Sequence, residues 1–200
     1  MIATDLQPLS VVEDKGFVEL MKVMDSRYTL LSRHTVTSSH LQDIYKSVKI
    51  KLQAQLNSVS HIALTTDIWT SRQTLSYCCV TAHFLTTDWE LKSTVLETFE
   101  FSTEHTGDHI AQELLRVTSD WNVTDKIVCV VTDNASNMVL AISGKTPWRH
   151  LPCFAHSLNL VVQDSITGTE DIHAVQQRCK NIVSHFHRSG KSLAKLREVQ

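Results

Sequence analysis

Two phrases of the 200-residue chain end alike: Ile62-Ala63-Leu64-Thr65-Thr66-Asp67 and Ile127-Val128-Cys129-Val130-Val131-Thr132-Asp133, each an apolar run closed by Thr-Asp. Asp67 and Asp133 are therefore the first candidates for chemistry. A short apolar run predicts a buried strand, and a carboxylate where the run stops stands within reach of solvent and ligand. If the two strands are neighbours, both acids meet at one edge of a sheet. Paired carboxylates suit a hard divalent cation, Mg2+ or Mn2+, which prefers oxygen ligands and relieves the repulsion between two like charges. Taken alone, each Asp equally suits the cap of a turn or helix.

Three further groups of residues invite chemistry. Cys153 and His156 form a Cys-x-x-His pair, half of a tetrahedral zinc site, for which Cys179 with His185 or His187 is the nearby second half. Cys179 also falls on the apolar stripe of a helix, where it reads as core. Between positions 178 and 200, Arg178, Lys180, Arg188, Lys191, Lys195 and Arg197 face only Glu198, so the stretch carries +6 - 1 = +5. That is a candidate DNA contact, and a solvated helix face is the competing reading. Trp69 and Trp148 offer ring faces to unpaired bases, with burial the expected fate of both.

The rest of the composition narrows the class. A formal net charge of -2 argues against a surface that binds nucleic acid all over, so any DNA contact is local. With 42% hydrophobic and 20% charged residues, the chain reads as globular, and no apolar stretch is long enough to span a bilayer, so no membrane role is expected. The first ten residues lack a secretory signal, which suggests a reducing compartment. Five cysteines at irregular spacing fit free thiols better than a disulfide framework.

These residues need elements to position them. Phe17, Leu20, Met21 and Met24 recur at helical spacing. After a polar break at Thr35 to Ser39, so do Leu41, Ile44, Tyr45, Val48, Leu52 and Leu56. Residues 1–58 thus predict a leading helical subdomain. From Ser60 the period becomes that of strands: the run to Asp67, then Tyr77 to Leu85 with Cys78, Val80, Ala82 and Phe84 on one face. A turn at Thr86 to Trp89 leads to Glu90 to Phe101, with Leu91, Val95, Phe99 and Phe101 on one side. A helix capped by Thr106 or Asp108 follows, with Ile110, Ala111, Leu114, Leu115 and Val117 buried.

The run Ile127 to Thr132 then returns after a crossover and predicts a parallel pairing. A short helix after Asp133, a brief strand near Leu151, and helices over Leu158 to Val162 and Ile172 to Phe186 complete the series, with a stop at Ser189-Gly190. This order is that of an α/β RNase H-like mixed sheet, expected over residues 59–200.

Three phrases together become specific: Thr65-Thr66-Asp67-Ile68-Trp69-Thr70-Ser71, Val131-Thr132-Asp133-Asn134-Ala135-Ser136-Asn137-Met138 and Cys153-Phe154-Ala155-His156-Ser157-Leu158-Asn159-Leu160. With the lead-in Pro8 to Asp14, Gly16-Phe17 and Arg27-Tyr28, they resemble the hAT superfamily of DNA transposases, in particular its BED-type zinc-finger group and domesticated derivatives. The resemblance covers almost the whole chain.

It implies a cut-and-paste transposase core in which two aspartates and one glutamate hold two divalent metals. Asp67 and Asp133 match the two aspartates, and His156 matches a residue beside the catalytic pocket that orients the metal site or the DNA. The family's glutamate lies far downstream, after a helical insertion, and the chain reaches Gln200 before any match to it. The BED finger, the family's own route to zinc, also has no match here. Glu113, on the helix after the three-strand meander, is a substitute third acid, and a solvent-facing role explains it equally well.

The expectation is a truncated core that does not cleave DNA by itself. It would act in the nucleus through DNA or a related full-length transposase-like protein, and would be marginally stable with one sheet face partly uncovered. The alternative is a residual metal-dependent nuclease using Asp67, Asp133 and Glu113.

Overall fold

The computed structural model describes residues 2–199. Its centre is a five-stranded mixed sheet in the order β3-β2-β1-β4-β5. Strands β1 (Ile62–Thr70), β2 (Ser76–Leu85) and β3 (Leu91–Glu100) form an antiparallel meander. Helix α5 (Gly107–Asp120) crosses over to β4 (Ile127–Thr132), which runs parallel to β1, and β5 (Arg149–Pro152) runs parallel to β4. Helix α6 (Ser136–Val139) lies between β4 and β5. This is the RNase H-like order that the sequence predicts.

One face of the sheet makes the core. Ile62, Leu64, Cys78, Val80, Ala82, Phe84 and Val130 are buried against Ile110, Ala111, Leu114 and Val117 of α5. Each such aliphatic side chain removed from water contributes about 1.5–3 kcal/mol, which is why the stripe at helical spacing meets the alternation of the strands. The Thr106 hydroxyl caps α5 by accepting from the His109 amide at 3.3 Å, so of the two expected caps Thr106 serves. A Cβ added at Gly107 would meet the Leu140 side chain at 3.0 Å. Glycine there lets the start of α5 approach the segment after α6.

Before the sheet come α1 (Ile2–Asp5), a 3-10 turn, α2 (Lys15–Met24), α3 (Arg33–Thr35), a π-helical turn (Val36–His40) and α4 (Leu41–Ser58). The polar break expected at Thr35 to Ser39 is instead helical throughout. Ser32 caps this run by accepting from the Thr35 amide at 3.0 Å. The hydroxyls of Thr37 and Ser38 donate to the carbonyls of Arg33 and His34 at 2.9 and 2.8 Å, folding back on the helix rather than breaking it. Lys126 ties the far end of α4 to the core, donating to the Leu56 and Asn57 carbonyls at 2.9 and 3.0 Å.

Two strand assignments need correction. Leu91 and Val95 are 69% and 52% exposed, while Leu96 and Phe101 are buried. The pairing of β2 with β3 slips between Val80 and Thr81, leaving Leu96 as an extra residue that reverses the alternation. A bulge of this kind moves every side chain before it to the other face. Asp67 also does not end its strand. β1 continues to Thr70 against β2, and only its pairing with β4 stops at Thr65.

After β5, helices α7 (Phe154–Gly168), α8 (Glu170–Arg188) and α9 (Gly190–Val199) pack on one another more than on the sheet. Their apolar stripes are open: Leu158, Val161, Ile172, Val175, Ile182 and Val183 are exposed. Cys179, expected in the core, is exposed with them because its helix has no partner on that side. A compact monomer of this mass would expose about 9,500 Å², and this chain exposes 14256 Å². Among the described residues no helix is long and apolar enough to cross a membrane.

Candidate functional site

The parallel register of β1 and β4 builds the site. Thr65 pairs with Val131, and each is followed two positions later by an aspartate, Asp67 and Asp133, so both carboxylates leave the same face of the sheet. That face is the one turned away from α5. Asp67 and Asp133 line one pocket of about 360 Å³ with Thr65, Thr81, Cys79, Cys153 and His156.

Each acid is held differently. Asp67 lies in the middle of the β1–β2 ladder opposite Cys79, and its side chain is exposed. The Asp133 carboxylate accepts from the Ala135 amide at 3.3 Å, a local turn that fixes it where the chain leaves β4. The preceding Thr132 hydroxyl donates to the Asp133 carbonyl at 2.6 Å and lies 3.0 Å from His150 Nε2. Cys153, first residue after β5, donates its amide to the Thr132 carbonyl at 2.8 Å. That bond sets the start of α7 beside β4 and brings His156, one turn on, to the pocket wall.

Behind the pocket the interior is apolar. Cys78 faces the core, and burial pushes its thiol above the ordinary value despite a contact with the Thr66 hydroxyl at 3.5 Å. Its neighbour Cys79 faces the pocket and accepts from the Thr98 hydroxyl at 3.3 Å.

The structure does not bring Glu113 to this pocket. Its carboxylate accepts from Arg116 Nε at 2.7 Å, and Arg116 also binds Glu97 at 3.0 Å and Asp120 at 3.2 Å. This cluster and the Phe99 ring, 5.0 Å below the guanidinium, fasten α5 to β3. Arg178, Lys180, Arg188, Lys191, Lys195 and Arg197 are exposed on α8 and α9, outside the pocket lining. Of the two tryptophans expected to be buried, Trp148 is, with its indole N–H donating to the Thr124 carbonyl, whereas Trp69 is 41% exposed.

The donor set suits a hard dication in kind but not in number. Two carboxylates face one pocket, yet among the described residues no group of three or more His, Cys, Asp or Glu side chains is placed to hold a metal ion. The same holds for the zinc reading of Cys153 and His156, which no residue of α8 completes. Sequence reasoning missed Cys79 and Thr81 as pocket residues. Their signal was the strand period itself, since they alternate with the buried Cys78, Val80 and Ala82.

A five-stranded sheet of this order, with one acid on its central strand β1 and one just past the end of the neighbouring β4, fits an RNase H-like domain. Residues 65–144 match the ZBED1 RNase-like domain family. The chain is 32% identical over 187 residues to a putative AC transposase of Zea mays, covering 84% of this chain and 23% of that protein. It is 27% identical over 212 residues to the human zinc finger BED domain-containing protein 4, covering 100% of this chain and 18% of that protein. Against the zinc finger BED domain-containing protein RICESLEEPER 3 of Oryza sativa subsp. japonica, identity is 25% and coverage is 100% of this chain and 28% of that protein. The chain therefore belongs to the hAT-type transposase-derived proteins, and spans about a quarter of the length of the curated relatives it matches.

Proposed function

We propose that this chain is a DNA-binding RNase H-like region of a nuclear, transposase-derived protein, and that it does not cleave DNA by itself. The observation that carries this reading is the pocket shared by Asp67, Asp133 and His156, which among the described residues has no third carboxylate in its lining. Two carboxylates alone would hold Mg2+ or Mn2+ weakly. In-line displacement at phosphorus needs a firmly placed metal to activate the attacking oxygen and to stabilise the leaving one. The chain's own contribution is to present two carboxylates, one on β1 and one just past β4, and to wall the pocket with Cys153 and His156 at the start of α7.

The +5 stretch on α8 and α9 supports a local, salt-sensitive contact with phosphates in a chain whose net charge is -2. The open apolar stripes of α7 and α8 support association with a related transposase-like protein. Incubation with supercoiled plasmid and Mn2+ tests the reading. The expected result is binding without nicking. Nicking that disappears in Asp133→Asn would replace it with the nuclease reading.

A further inference from the structure

Helix α8 is 19 residues long, about 28 Å from end to end, and Cys179 stands at its midpoint. Its apolar residues run down one side at intervals of three and four: Ile172, Val175, Cys179, Ile182 and Phe186, with Val183 alongside. Ile172, Val175, Ile182 and Val183 are each more than half exposed. A surface helix owes its stability to the apolar face it buries. Here that face is open.

Both the stripe and the charges are arranged about Cys179. Ile172 and Phe186 lie seven residues to either side of it, and Val175 and Val183 lie four to either side. The first turn is acidic, with Glu170 and Asp171, and the last is basic, with His185, His187 and Arg188. A two-fold interface must be complementary to itself. Two copies of α8 running antiparallel about Cys179 meet that condition: Ile172 falls beside Phe186 of the second copy, Val175 beside Val183, and each acidic start beside a basic end. A parallel pair would bring like charges together.

Val183 and Phe186 also line an apolar groove of about 500 Å³ with Ile182, His187, Leu193 and Leu196, where α9 folds back on α8. In the antiparallel arrangement Ile172 and Val175 of the second copy fall at this groove. Arg178, next to the axis, comes near its own copy, a repulsion that long side chains in water relieve. The chain's exposed surface exceeds that of a compact monomer by well over the roughly 1,200–2,000 Å² that a stable interface buries.

We propose that a second copy of this chain covers α8, as an antiparallel two-fold helix pair centred on Cys179. The pairing rests on the association proposed above and narrows it to self-association through one helix. DNA binding does not depend on it.

Sedimentation velocity of the 200-residue chain over a range of concentrations tests the pairing, with circular dichroism as the check on folding. A monomer–dimer equilibrium is expected. Val175→Glu, at an exposed position, raises the dissociation constant by about tenfold or more. At low salt Glu170→Lys and Arg188→Glu each weaken the dimer, and the double variant regains the loss. A short bismaleimide joins two chains through Cys179, and Cys179→Ser gives no such product. In the dilute monomer Cys179 is freely reactive, and its reaction with a simple maleimide slows as the dimer forms. A chain that stays monomeric, or forms aggregates of no fixed size, overturns the pairing. So does a dimer that is indifferent to Val175→Glu, uncompensated in the double charge variant, or not joined through Cys179. None of these results touches the DNA reading, which binding of the same samples to supercoiled plasmid decides.

Discussion

Thr65 of β1 and Val131 of β4 are direct partners in a parallel ladder, and the aspartate two residues beyond each emerges on the same face. Side chains in a strand repeat every second residue. One register pair therefore sets the relative position of both acids, and a shift by one residue in either strand would send one carboxylate into the core beneath Val80 and Val130. Two like charges lining one pocket repel each other unless something offsets them.

Asp133→Asn should thus leave the melting temperature unchanged or raise it. Asparagine keeps the side-chain oxygen that accepts from the Ala135 amide, so only the charge is lost. A thermal melt lowered by the equivalent of more than about 1 kcal/mol would make Asp133 a structural residue rather than half of a site.

Arg116 should behave in the opposite way. Its guanidinium joins Glu97, Glu113 and Asp120 and covers Phe99. The group is partly exposed, so solvent screening holds each pair to about 0.2–1 kcal/mol. Arg116→Met is expected to cost about 1–2 kcal/mol in all, and the loss should shrink in high salt. A denaturant melt at two salt concentrations checks both the size and the salt dependence.

The five thiols should react with a maleimide in an order set by exposure, Cys179 first and Cys78 last. Burial raises the Cys78 thiol above its ordinary value of 9.0, so the folded state holds that proton more tightly than the unfolded chain. Its contribution is fully present below about pH 9 and is lost as the pH climbs through the raised folded value. The stability difference between the wild-type chain and Cys78→Ala should therefore narrow as pH rises above about 9. Parallel melts across that range would show a constant difference if the thiol ionised freely in the fold.

Much of this was legible in the residues. Alternation at Cys78, Val80, Ala82 and Phe84 and helical spacing at Ile110, Leu114 and Val117 marked the two halves of the core, and the run before Asp133 marked a parallel strand. What escaped were features that depend on a partner strand or helix. The bulge at Leu96 inverts the faces of Leu91 and Val95 with no local signal, because it is defined by β2. The exposure of Trp69 and Cys179 follows from strands and helices that are not beside them. The helical run through Thr35 to Ser39 was hidden because hydroxyl residues suit both a break and a back-bonded helix. Glu113 had the right type and the right helix, and only the fold shows that Arg116 is its partner.

The most direct measurement is a Mn2+ titration followed by electron paramagnetic resonance, on the wild-type chain and on Asp67→Asn and Asp133→Asn separately. Weak binding that falls by about tenfold or more in each variant is the predicted result. Mn2+ binding indifferent to both substitutions, or absent from the wild-type chain, would contradict a shared site for the two acids.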